Sequence, residues 1–196
     1  MLHTQSVFSL RLDDDRELRL LEDADARELD QVICSNQTFL SRWMPWAPEQ
    51  TLERTRTFIR DSRRQLGENQ GFQAAIVERG QIVGVIGFHR LDWVNRATSI
   101  GYWIAEDRQG RGTMTAAARA LIDHAFRVWG MHRVEVRAGV ENHRSQAVAR
   151  RLGFVQEGVL RHAERIGDRY VDHVVYAMLS DDWDCDHQLK PGGLIE

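Results

Sequence analysis

The stretch "GYWIAEDRQGRGTMTAAARALIDHAF", Gly101 to Phe126, joins an apolar strand to a long helix through two glycines, Gly110 and Gly112. Beyond the glycines, Met114, Ala117, Ala118, Leu121, Ile122, Ala125, Phe126 and Trp129 keep a 3.6-residue period, so one helix face is apolar for over four turns. Gly130 ends that helix as a C′ residue does, and "HRVEVRAGV" then alternates Val134, Val136 and Ala138 against Arg133, Glu135 and Arg137. Strand, Gly-rich turn, helix and strand make a parallel crossover, right-handed by the usual chirality. Glycine lets backbone N–H groups converge on a ligand, and a helix start adds partial positive charge, so the turn suits a phosphate; a plain strand-to-helix turn would also use glycines. The segment is neither a P-loop, lacking G-K-[ST], nor G-x-G-x-x-G, because position 115 is Thr.

Working outward, Phe8 to Leu12 reads as a short strand. Leu18–Asn36 opens acid-rich and carries Ala26, Leu29, Val32 and Ile33 at helical spacing. "FLSRWMPWAPEQT" is a rigid proline-containing loop, and Leu52 to Leu66 is helical with Phe58 and Ile59 on its apolar side. Gly71 to Leu91 is a hairpin about residues Glu78 to Gln81, followed by the strand in "ATSIGYWIAED". After the crossover come a short helix, Ser145 to Leu152, and a hairpin about Gly167 and Asp168. The fold class is therefore α/β, a mixed sheet of about six to seven strands with helices on both faces. It forms a single domain over residues 1–180, with a loosely held tail over 181–196.

With 196 residues, 42% of them hydrophobic, the chain can bury one sizeable core. A net charge of −3 argues against general nucleic-acid binding. Cys34 and Cys185 stand far apart and outside any C-x-x-C pair, as free thiols in a reducing compartment do. His89, His124, His132, His143, His162 and His173 do not repeat at ligand spacing, so no metal is expected. No apolar run is long enough to cross a bilayer and the N-terminal stretch is charged too early for a signal sequence, so a cytoplasmic location is expected.

The second informative stretch is "ENHRSQAVARRLGF", which sets Asn142 and Ser145 directly after a strand, on the same sheet edge as the glycine turn. Together with "WMPW" and "ERIGDRYVDHVVYAML", these motifs resemble the GNAT N-acetyltransferases, and within them the RimJ/RimL branch, which acetylates the N-terminal amine of ribosomal proteins. The resemblance follows the element order over nearly the whole chain. It implies acetyl-CoA as donor, with its pyrophosphate on the backbone of Gln109, Gly110, Arg111, Gly112 and Thr113 and with Arg108 and Arg111 adding charge. It also implies a pantetheine arm between the diverging strands Ser99–Ala105 and Val134–Val140, with Asn142 bonding that arm or capping the following helix.

The chain departs from the family pattern twice. Asp107 stands where Gln or Arg opens the glycine motif, and Ala149 replaces the tyrosine many members use as a general acid. The RimL-like resemblance places Ser145 near the sulfur; it is otherwise an ordinary first-turn residue. A backbone N–H at Trp103 or Ile104 would meet the oxyanion, and Glu164, which resembles the acidic residue of RimL-like sequences, would accept the proton, with Asp172 second. Trp43 and Trp46 either wall an acceptor groove or pack over the sheet as core. The acceptor itself stays open between a protein N-terminus and a small amine such as an antibiotic, a polyamine or an amino-acid derivative. A catalytically degenerate acyl-CoA-binding module and an RNA-contacting protein are the readings outside this class. Family members often pair, so a homodimer is a further expectation.

Overall fold

The computed structural model describes residues 8–187, and side chains through Trp183. Among the described residues eight strands form one sheet in the order β1-β2-β3-β4-β5-β6-β8-β7. In chain order these are β1 (Ser9–Arg11), β2 (Arg16–Leu20), β3 (Gln73–Glu78), β4 (Gln81–Asp92), β5 (Ala97–Ile104), β6 (Arg133–Gly139), β7 (Val155–Ile166) and β8 (Arg169–Leu179). Every pairing is antiparallel except β5 with β6, where the crossover predicted from sequence is found. The helices are α1 (Ala26–Ser35), α2 (Gln37–Leu40), α3 (Leu52–Gly67), α4 (Thr113–Asp123), α5 (His143–Arg151) and α6 (Ser180–His187).

The sheet has eight strands rather than six or seven because Arg16–Leu20 forms a strand of its own. Asp13 Oδ1 accepts from the Asp15 N–H at 3.0 Å, and Leu12 donates to the Arg16 carbonyl at 2.9 Å, closing a tight turn. Leu18 is fully buried on the sheet, a tertiary contact that overrides the helical look of the segment.

Alternate strand residues feed two cores. Ala74, Ile76, Ile100 and Val136 meet Met114, Ala117, Leu121 and Ile122 of α4, while Ala75, Val77 and Val85 meet Leu29 and Ile33 of α1 and Ile59 of α3. Two side-chain assignments shift from the sequence reading. Phe58 is not packed beside Ile59 but stays 38% exposed along the main cleft. The last turn of the long helix widens into a π-helical turn, His124–Val128, before Gly130 at φ +64°.

The tail expected over 181–196 is not loose at its start. It begins as α6, whose Trp183 is fully buried and donates from its indole nitrogen to Asp123 Oδ1 at 2.8 Å, with Arg119 5.6 Å above the ring. Residues 188–196 lie outside the described residues. Trp183→Ala is accordingly expected to cost about 3–5 kcal/mol of stability in urea unfolding; an unchanged midpoint would show that α6 is dispensable.

Candidate active site

The glycine turn is built as a donor surface. Gly110 and Gly112 lie at φ +76° and +78°, a left-handed region that glycine enters without strain, and a Cβ placed on either would meet no atom within 4 Å. The side of the turn is therefore open space rather than packed protein. Gly112 is the N-cap of α4, so the first-turn N–H groups after it have no acceptor inside the helix. Arg108 and Arg111 stand beside the turn, but each is drawn toward partly buried Glu78, at 3.6 and 3.9 Å. Asp107 pairs with Arg108 at 3.2 Å and stays exposed. From β2, Arg16 donates to Thr113 Oγ1 at 3.1 Å, a cation that sequence reading missed because β2 itself was not foreseen.

The β5–β6 ladder runs from Ala97↔Arg133 to Ile100↔Val136 and stops, although both strands continue, so Gly101–Ile104 diverges from Arg137–Gly139. Parity settles which groups face the opening. Ala105 donates to the Val83 carbonyl at 2.8 Å, so in an antiparallel ladder Trp103 and Gly101 also face β4, while Tyr102 and Ile104 turn their N–H and C=O groups into the gap. Of the two amides expected to serve an oxyanion, Ile104 points into the opening and Trp103 does not. On β6, Val140 donates to the Asp172 carbonyl at 3.0 Å, which leaves the Arg137 and Gly139 peptides facing β5. Gln146 of α5 caps the Gly139 carbonyl at 3.0 Å.

The two faces of the gap carry different chemistry. On the α4–α5 side, Asn142 caps α5 by accepting from the Ser145 N–H at 3.1 Å. Ser145 donates its hydroxyl to Tyr102 Oη at 3.3 Å, and Tyr102 donates to the Ser145 carbonyl at 3.2 Å. Burial pushes the Tyr102 phenol up to about 12, so it remains a neutral donor at physiological pH. Tyr102 was not singled out from sequence. Its signal was parity, since it shares a face with Ile100 and Ile104 in "IGYWI".

On the opposite side, Glu164 pairs with His173 Nε2 at 3.4 Å and lies across from Val171. A Cβ on Gly139 would sit 3.7 Å from the Trp43 ring and 3.3 Å from Val171, so Trp43 closes over β6 at the gap. Trp46 packs on Trp103, ring centroids 6.3 Å apart, and joins the α1–α3 core. Both tryptophans line the cleft, and Trp46 also packs against the α1–α3 core. Asp172 is engaged elsewhere, since its carboxylate accepts from the His162 N–H at 2.7 Å and ties down a bulge where His162 has φ +51°. The glycine turn, the gap and both faces open into one cleft of about 2100 Å³.

The family follows from comparison with known proteins. Residues 16–155 match the acetyltransferase (GNAT) domain model. The chain belongs to the GNAT acetyltransferases. Among GNAT relatives, the Bacillus subtilis (strain 168) protein YdaF is 37% identical over 180 residues, covering 91% of this chain and 98% of that protein. The ribosomal-protein-serine acetyltransferase of Escherichia coli (strain K12) is 31% identical over 175 residues, covering 88% and 97%. Among solved GNAT structures, the ribosomal L7/L12 alpha-N-protein acetyltransferase RimL in complex with coenzyme A superposes with a TM-score of 0.85 at 28% identity, covering 89% of this chain and 99% of that one. This chain is an acetyl-CoA-dependent N-acetyltransferase of mixed α/β GNAT fold, and the open glycine turn and unpaired strand edges fit the donor chemically. Among the described residues no helix is long and apolar enough to cross a membrane.

A valine at a left-handed position strains the backbone and projects into the space beside the turn. Gly110→Val and Gly112→Val are each expected to lose about 1–3 kcal/mol of stability and to bind acetyl-CoA more weakly by calorimetry. Unchanged affinity in folded variants would contradict the phosphate cradle.

Proposed function

We propose that this enzyme transfers acetyl from acetyl-CoA to the N-terminal α-amino group of a ribosomal protein, by direct attack within a ternary complex. The observation that carries the reading is the end of the β5–β6 ladder at Ile100 and Val136, which leaves strand peptides facing a channel open to both sides of the sheet. The branch resemblance and the named substrates of the relatives above supply the acceptor class. A cytoplasmic location follows from such an acceptor. Pairing into a homodimer is part of the same reading and is taken from the resemblance alone.

Bound acetyl-CoA supplies an activated thioester, and the chain supplies position and proton traffic. The amides of Gln109 to Thr113 hold the diphosphate at the start of α4, where the helix dipole favours negative charge. Arg108 and Arg111 strengthen that field once drawn from Glu78. The gap-facing peptides of Tyr102, Ile104 and Arg137 pair with the pantetheine amides, and the side-chain NH2 of Asn142 is free to join them. An Ile104 or Tyr102 N–H stabilises the negative charge that develops on the acetyl oxygen. The Ser145 hydroxyl, which donates to Tyr102 here, rotates to hydrogen-bond the departing sulfur. Trp43 walls the acceptor entrance, and Glu164 provides the negative charge that draws a proton from the amine.

Intact-mass spectrometry of ribosomal proteins incubated with enzyme and acetyl-CoA tests the reading; one added acetyl group at an N-terminus is expected. Thiol release only with free small amines would transfer the function to that class, and no release with any amine would make the chain a binding module. Ser145→Ala is expected to lower kcat on the order of 100-fold with acetyl-CoA affinity within about twofold, measured by thiol release and calorimetry.

A further inference from the structure

One polar side chain at the gap is unused by the chemistry above. In the β4–β5 ladder Phe88 pairs with Ile100 and Arg90 with Ser99, so His89 between them has no cross-strand partner and forms a bulge. A bulge re-aims the side chain it carries. The ring of His89 lies against the backbone of β5 at Gly101, where a Cβ would fall 1.8 Å from Nε2. Position 101 must therefore be glycine for the imidazole to occupy this place, at the residue where β5 parts from β6.

The side of the gap follows from alternation. Tyr102 points to α5 and Ser145, so the Gly101 position opposite it belongs to the other face, the face of Trp103. Val171 and His173 alternate with Val174 and Tyr176, which enter the α4 core, and Glu164 lies across from Val171. His89, Glu164, His173 and Trp43 thus share the side from which the amine enters, and all line the cleft.

We propose that His89 is the catalytic group that takes the proton from the acceptor amine, with Glu164 stabilising the imidazolium that results. The inference rests on reading the cleft as the acetyl-transfer site and changes the part played there by Glu164, from direct base to electrostatic partner. The acceptor ammonium gives one N–H proton to the imidazole. Its freed lone pair adds to the acetyl carbon, the C–S bond breaks, and a second N–H proton ends on the sulfur beside Ser145 and Tyr102. His89 returns its proton to solvent, so the sum is one amide, one thiol and one released proton.

Chemical matching supports the assignment. An imidazole ionises nearer to neutral pH than a carboxylate and is the better-matched base. His89 is open toward the cleft, while the walls around its ring withdraw water and hold its pKa below the ordinary value; the Glu164 charge opposes that shift. The ring is therefore neutral at pH 7 and able to accept a proton. Besides Glu164, charged groups lining the same cleft include Arg90 on β4, Arg137 on β6, Glu141 after β6, Arg42 after α2 and Arg54 on α3, and the imidazole of His173 also faces it. Arg137 is held by Glu135 at 2.6 Å and Arg54 by Glu49 at 2.6 Å.

Two measurements decide it. In single-turnover acetyl transfer to a synthetic peptide with a free N-terminal serine, His89→Ala is expected to slow the chemical step on the order of 100-fold, with acetyl-CoA affinity retained. Added imidazole is expected to restore part of the rate in proportion to its neutral form, which a merely structural role would not allow. A His89→Ala rate within about threefold of the parent, or a loss that imidazole leaves untouched, overturns the assignment. Independently of any acceptor, histidine NMR of the CoA complex is expected to show His89 neutral at pH 7, with its midpoint falling in Glu164→Gln. A midpoint unmoved by that substitution overturns the coupling to Glu164, and a ring charged at pH 7 overturns the role of His89 as proton acceptor. An unmodified enzyme that leaves the peptide unacetylated would count against the acceptor reading, and the NMR result would then decide the role of His89.

Discussion

The site depends on hydrogen bonds that two neighbouring strands do not make. β5 and β6 run parallel and pair as far as Ile100 and Val136, then separate while their peptides still carry donors and acceptors facing inward. Unpaired backbone groups are costly unless water or a ligand meets them. A sheet interrupted in this way offers a molecule with its own amides, lying between the strands, a set of partners already fixed in direction. The surrounding structure holds the separation open. Gln146 takes the Gly139 carbonyl on one strand, Tyr102 and Ser145 hold each other on the other side, and β8 supports β6 from behind.

The same separation divides the chemistry. A thioester reacting with an ammonium ion needs a proton removed from nitrogen and negative charge relieved on sulfur. If a single group faced both, each would quench the other. Here the sheet stands between them. Neutral donors, the phenol of Tyr102 and the hydroxyl of Ser145, lie on the α5 side, while the titratable groups Glu164, His173 and His89 lie on the side of Trp43. The electropositive start of α4 stands at the far end of β5, where it can hold a diphosphate.

Much of this arrangement was legible in the sequence, for reasons that differ by residue. The glycine turn, the long helix and the crossover announced themselves through periodicity and composition, because a helix face and a left-handed turn each restrict which residues fit. Asn142, Ser145 and Glu164 follow from the family resemblance, and the structure brings them to the same cleft. Parity supplied what the resemblance could not. Whether the amide of Trp103 or of Ile104 faces the gap depends on which neighbour β4 has already bonded, and Tyr102 gains its role only once α5 is folded against it. His89 was hidden by the bulge, since an extra residue breaks the alternation that sequence reading relies on; the polar residue closing "GFH" was the available sign. The strand at Arg16–Leu20 and the helix holding Trp183 were missed because their signals are tertiary, a single buried leucine and a single buried tryptophan.

The most direct test is a crystal structure of this chain grown with acetyl-CoA. The diphosphate is expected on the backbone of residues 109–113, with the pantetheine amides bonded to the gap-facing peptides of β5 and β6 and the sulfur beside Ser145. Donor density elsewhere in the cleft, or a β5–β6 ladder that closes past Ile100 with the donor bound outside it, would contradict the account.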